Sequence, residues 1–167
     1  MVVFLYVALV AVLAAADQAL KYWTVTHLAV GESAPFLPGA VQLTRLHNTG
    51  AAWSSFSGKS VLLIVVTALL LLAVAWLLIR RVVRHGLGVA ACLLILGGGV
   101  GNMIDRVSNG YVVDMFDLLW FDYPIFNLAD CFVVIGVVLG AVYYLFFHDR
   151  KTRAEDASHD GTNDGTN

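Results

Sequence analysis

In YVVDMFDLLWFDYPIFNLADCFVVIG, residues 111–136, four aspartates stand just ahead of an uncharged apolar run. A carboxylate at the centre of a bilayer costs about 2.5–3.5 kcal/mol on insertion scales. Acids beside such a run are therefore solvated loop residues, helix caps, or groups with chemistry to perform. Asp114 lies in the β-like apolar stretch YVVDMF. Asp130 closes FNLAD three residues after Asn127, so the amide and the carboxylate share one helical face. If Asp114 and Asp130 meet at a membrane surface, desolvation and mutual repulsion raise one pKa. One protonated and one ionised carboxyl is the pairing with which aspartic proteases activate water, and such acid–base help contributes about 10²–10⁴-fold in rate. Asp117 and Asp122 read as solvated loop charges.

Three other clusters mix polar and small residues. DQALK sets Asp17 and Lys21 at i and i+4, the spacing of an ion pair that steadies a helix. HNTGAAWSSFSG, residues 47–58, combines Asn48 with turn formers, and a cap and a binding role remain open for it. In GGGVGNMIDR, residues 97–106, the small residues Gly97–Gly99 and Gly101 suit close helix approach in lipid. Asn102, Asp105 and Arg106 follow on one face, where Arg106 can neutralise Asp105.

The elements that hold these groups are membrane helices. Of 167 residues, 59% are hydrophobic and 13% charged, too few polar residues to cover a soluble domain. A bilayer core of about 30 Å takes roughly 20 helical residues, and four spans fit, at about 1–21, 60–79, 87–104 and 129–147. Met1–Ala16 reads as a retained span and not a cleaved leader, because no basic segment precedes it and the helix pattern runs on through DQALKYW. Basic residues mark cytoplasmic loops. Arg80, Arg81 and Arg84 join the second and third spans, and His148–Arg153 follows the fourth, so both termini are expected in the cytoplasm. Residues 1–149 form the membrane domain, and the polar stretch 150–167 reads as a disordered cytoplasmic tail.

The two remaining connections then lie outside. Proline and glycine punctuation followed by alternation in PFLPGAVQLTRLHN predicts a small β element between the first two helices. Tyr22, Trp23, Trp53, Trp120 and Tyr123 flank the spans on this side as interfacial aromatics do. All the polar clusters thus converge on the outer ends of the helices.

Several chemistries are excluded or weakened. Five histidines without an H-E-x-x-H or other paired spacing leave no metal site. No serine occupies a G-x-S-x-G elbow, and the glycines at 97–101 fail the dinucleotide fingerprint because Asn102 stands where a glycine is required. A net charge of −2 without a basic stripe gives no sign of nucleic-acid binding. Cys92 and Cys131, in or beside apolar runs, read as small hydrophobes. A small channel or transport subunit with structural acids stays open as an alternative, although no inverted repeat supports it.

DQALK, NTGAAWSSF, GNMIDRVSNGYVVDMFD and FNLAD, in this order, closely resemble lipoprotein signal peptidase, also called signal peptidase II. The likeness runs from the first span to the fourth. It implies an all-α membrane protein of four transmembrane helices with a small extracytoplasmic β element. The implied activity is that of an aspartyl endopeptidase without cofactor or metal, acting as a monomer in the bacterial inner membrane. Its implied substrates are diacylglyceryl-modified prolipoproteins, cut just before the lipidated cysteine. The family's catalytic pair falls on Asp114 and Asp130, and its supporting positions on Asp17, Lys21, Asn48, Asn102, Asp105, Arg106 and Asn127. Two features depart from the family: the N-terminus lacks a basic lead, and Met115 replaces the phenylalanine expected after the first catalytic acid.

Overall fold

The computed structural model describes residues 2–50 and 60–148. Expectations for Met1, for residues 51–59 with Trp53, and for the tail at 150–167 lie outside them. The chain order is α1 (Val2–His27), β1 (Ser33–Leu37), β2 (Val41–Asn48), α2 (Ser60–Ile79), α3 (Gly86–Asn109), β3 (Val112–Leu118) and α4 (Leu128–Tyr143), which runs into a π-helical turn at Tyr144–His148. All four helical segments are long and apolar enough to cross a bilayer. The twenty uncharged residues of α2 rise about 30 Å at 1.5 Å each.

Polarity runs inside out, as a lipid solvent requires. On α1 the buried residues are Ala14, Asp17, Lys21 and Thr24, one polar stripe at helical spacing, while Phe4, Val7 and Val12 are exposed. The helix runs to His27, past the expected end near residue 21, and its buried stripe extends with it to Thr24. Helix α3 likewise continues beyond 104, since Asp105 is buried in the protein instead of marking an exit to water. It stops where Gly110 turns left-handed at φ 78° and its N–H bonds to the Arg106 carbonyl.

Helix α3 is the central element, and its glycines explain why. A Cβ on Gly97 would strike Leu13 of α1, one on Gly98 the Ala129 carbonyl of α4, and one on Gly99 Leu71 of α2. Successive residues turn by about 100°, so three adjacent glycines give three helices a close seat.

The small β element expected in the first connection is the hairpin β1–β2. A third strand, β3, comes from the connection between α3 and α4 and completes an antiparallel sheet in the order β1-β2-β3. Leu43 pairs with Phe116, but Leu46 pairs with Asp114, so β2 carries one extra residue between them. Such a bulge reverses which side chains share a face. Leu46 and Asn48 thereby come to the Asp114 side of the sheet. Leu28, Leu43, Val113 and Met115 form a core here, with Met115 fully buried. Leu78, Cys92 and Leu93 form a second core, and both cysteines are free thiols.

Two expectations need correction. Asp117 is not a loop charge: it lies in β3 and accepts from Gln42 Nε2 at 2.7 Å and Thr44 Oγ1 at 2.9 Å. Cross-strand pairing created those partners, and no local pattern announces it. Asp122 is exposed, as expected. Nor does Arg106 neutralise Asp105, which instead pairs with Lys21 of α1.

Candidate active site

Asp114 enters the site from β3 and is almost completely buried. Its Oδ2 accepts from Asn48 Nδ2 at 2.9 Å, the diagonal cross-strand contact that the bulge permits. Its Oδ1 accepts from Asn127 Nδ2 at 2.6 Å. Asn127 can reach because the chain doubles back: Phe126 bridges to Phe116 through N–H···O bonds of 2.8 and 3.1 Å in both directions. Burial pushes the Asp114 carboxyl up to about 7, and the charge of Asp130 adds to the rise while the two amides oppose it.

Asp130 is the third residue of α4 and half of a capping box. Asn127 Oδ1 accepts from Asp130 N at 2.9 Å, and Asp130 Oδ2 accepts from Asn127 N at 3.2 Å. The start of a helix favours negative charge. Asp130 Oδ1 also accepts from Asn102 Nδ2 at 2.8 Å. Asn102 and Asn127 are joined in turn, Asn127 Nδ2 to Asn102 Oδ1 at 3.1 Å. The path between the two carboxyls thus runs through two amides, from β3 to α4 to α3 and back to α4.

Behind the amides lies an ionic cluster. Lys21 Nζ stands 2.8 Å from Asp17 Oδ2 and 3.1 Å from Asp105 Oδ2, and donates to Asn102 Oδ1 at 2.8 Å. Gln18, to which the sequence reading gave no role, donates to Asp105 Oδ1 at 3.0 Å and the Gly101 carbonyl at 3.1 Å. Its signal was available, because Gln18 precedes Lys21 by three residues on a polar face. Arg106 donates to the carbonyls of Asn102 and Gly50 at 3.4 and 3.3 Å, and its charge is felt by Asp130, Asp114 and Asp105.

A cleft of about 610 Å³ opens on this network. Asp114, Asp130 and Arg106 line it together with apolar Ile125, Val133 and Val134. His47 also borders it; its ring lies 3.9 Å from that of Tyr111, and burial followed by the Arg45 charge lowers its pKa. The structure therefore brings Asp114, Asp130, Asn48, Asn102, Arg106 and Asn127 to one cleft, and sets Asp17, Lys21 and Asp105 behind it. Two carboxyls held by neutral donors at one cleft, beside a greasy wall, are groups of the type that give and take protons when water attacks a carbonyl.

The chain is similar to known proteins along most of its length. Residues 9–146 match the family model described as signal peptidase (SPase) II. The lipoprotein signal peptidase of Enterococcus faecalis is 39% identical over 158 residues, covering 95% of this chain and 96% of its own. That of Lactococcus lactis is 38% identical, covering 83% and 90%. A bacterial membrane enzyme solved by the in meso method at 2.3 Å superposes with a TM-score of 0.79 at 32% identity, covering 88% of this chain and 90% of its own. A second, at 1.9 Å, gives 0.78 at 33% identity, covering 85% and 93%.

Proposed function

The chain belongs to the signal peptidase II family, a multi-pass membrane peptidase acting on prolipoproteins, and from that premise we propose that it is an aspartyl endopeptidase working through Asp114 and Asp130. Asp130, at the helix start, is the carboxylate that takes a proton from water. The water oxygen attacks the carbonyl carbon of the bond before the substrate cysteine. Asp114, protonated, gives its proton to the carbonyl oxygen; as the C–N bond breaks, the leaving amine takes the proton that Asp130 held, and the re-forming carbonyl returns a proton to Asp114. The observation that carries this reading is the amide bridge, Asn127 to Asp114 and to Asn102, and Asn102 to Asp130. It holds both carboxyls at one cleft, and among the described residues neither has an ion pair.

The substrate in this reading carries diacylglycerol on its cysteine. The apolar wall at Ile125, Val133 and Val134 suits a lipid chain or an apolar signal segment beside the scissile bond. The enzyme sits in the inner membrane with both termini cytoplasmic and the cleft at the outer leaflet, as the arginines between α2 and α3 suggest. It needs no cofactor and works as a monomer. Family membership leaves the channel alternative without support.

Purified Asp114→Asn and Asp130→Asn enzymes, given a diacylglyceryl-modified precursor, should leave it uncut while retaining the wild-type thermal transition. Near-normal turnover by either removes the dyad. An unmodified precursor cut as fast as the lipidated one removes the lipid requirement. A thiol probe that reaches Asp122→Cys from the cytoplasm and not from outside reverses the orientation.

A further inference from the structure

The buried cluster of Lys21, Asp17 and Asp105 lies out of the cleft, yet its bonds lead to both sides of the dyad. Asp17 Oδ1 accepts the backbone N–H of Ala129 at 2.9 Å, the residue just before Asp130. Asp105 Oδ2 accepts the N–H of Val113 at 3.0 Å, the residue just before Asp114. Each acid of the cluster therefore grips the peptide that precedes one member of the pair. Lys21 lies between the two acids, within 2.8 and 3.1 Å of them, and closes the bracket.

Lys21 performs a second task. An asparagine amide has a donor end and an acceptor end, and an ammonium only donates. By donating to Asn102 Oδ1, Lys21 requires the Nδ2 end to face the opposite way, where it meets Asp130 Oδ1. With Asn102 turned over, an NH₂ group would face the ammonium and two oxygens would face each other at Asp130. The same Oδ1 also receives Asn127 Nδ2, so one amide orientation fixes the path to Asp114.

From these contacts we infer that Lys21 is a positioning residue for the dyad: through Asp17 and Asp105 it sets the spacing of the Asp130 and Asp114 backbones, and through Asn102 it sets the direction of the amide bridge between their carboxyls. This inference rests on the dyad reading above. A purely structural ion pair would need neither the two N–H contacts nor the bond to Asn102. All are buried, and a misplacement of about 1 Å at reacting groups costs on the order of 10²-fold in rate.

The test is Lys21→Met, which keeps the stem and removes the charge, with Asp105→Asn beside it, which retains an acceptor for Val113 N–H but loses the ion pair. Cleavage is measured as kcat and KM against pH, together with the thermal transition in detergent. The expected result for Lys21→Met is a kcat lower by about 10²-fold with KM unchanged. Its alkaline limb moves to higher pH. The charges that act on Asp114 are Asp130, Lys21 and Arg106, and removing an ammonium leaves its ionised form less favoured. Asp105→Asn should lower kcat in the same sense and by less. If Lys21→Met does not fold, Asp105→Asn decides alone. Folded variants with wild-type kcat and pH profile, or with losses only in KM or in the melting temperature, overturn the inference. Asp114→Asn and Asp130→Asn run in parallel separate the two failures. If they are inactive while Lys21→Met is normal, only the positioning role falls; if they are active, the dyad itself falls.

Discussion

The molecule holds two pairs of aspartates a few side chains apart, and it treats them in opposite ways. Asp17 and Asp105 lie one on each side of Lys21, at ion-pair distance. Asp114 and Asp130 have amides and a backbone N–H against their oxygens. Among the described residues no cation comes within ion-pair distance of either. For Asp17 and Asp105 the partner is the Lys21 ammonium, a counter-charge that ties both acids into the scaffold. For Asp114 burial, with the charge of Asp130 adding to it, pushes the carboxyl up to about 7 against the pull of its two amide donors. What separates scaffold from chemistry is thus the charge of the partner.

The largest effect should come from the amide-held pair. Asp114→Asn or Asp130→Asn is expected to lower kcat by about 10⁴-fold, the upper end of acid–base catalysis, in single-turnover cleavage of a lipidated precursor. The same comparison gives Asp17→Ala the opposite signature. It leaves Lys21 short of a partner and Ala129 N–H without an acceptor, and should cost about 3–5 kcal/mol of stability, read as a lower melting temperature in detergent. A normal melting temperature for Asp17→Ala would erase the contrast between the pairs. Next comes Gly101→Ala, whose Cβ would lie 2.6 Å from Asp17 Oδ2 and should destabilise by about 1–3 kcal/mol in the same melting assay.

Smallest per step is the pH effect. A carboxyl raised to about 7 is protonated below that pH and ionised above it. Cleavage should therefore fall as pH rises through about 7, approaching tenfold per unit where one proton is required. Activity that stays level well above that pH would show that Asp114 is not the acid.

The sequence displayed the spans clearly, because twenty uncharged residues have few other homes. Asp130 and Asn127 were also legible, since a spacing of three residues is local information. Asp114 was visible only as an acid in a β-like stretch. Its partner Asn48 lies 66 residues upstream in β2, and the bulge that turns Asn48 toward it has no sequence mark. Asp117 was misread for the same reason: Gln42 and Thr44 reach it only once the strands pair. The partner of Asp105 was misassigned because helix periodicity speaks for contacts within α3 and is silent about α1. Local spacing suggested Arg106; tertiary packing supplied Lys21.

The three glycines of α3 carry a consequence for how such a chain can change over time. Each seats a different helix, so their order along the chain is also an order around the axis, like the bitting of a key. Removing or adding one residue there would turn everything beyond it by about 100° and slide it about 1.5 Å. Asn102, Asp105 and Arg106 would leave their partners in a single event, with no amino acid replaced. Substitutions at the lipid-facing positions of α3 can be absorbed one at a time, whereas a change of length in this segment cannot, so its length is expected to be inherited intact even where those residues drift.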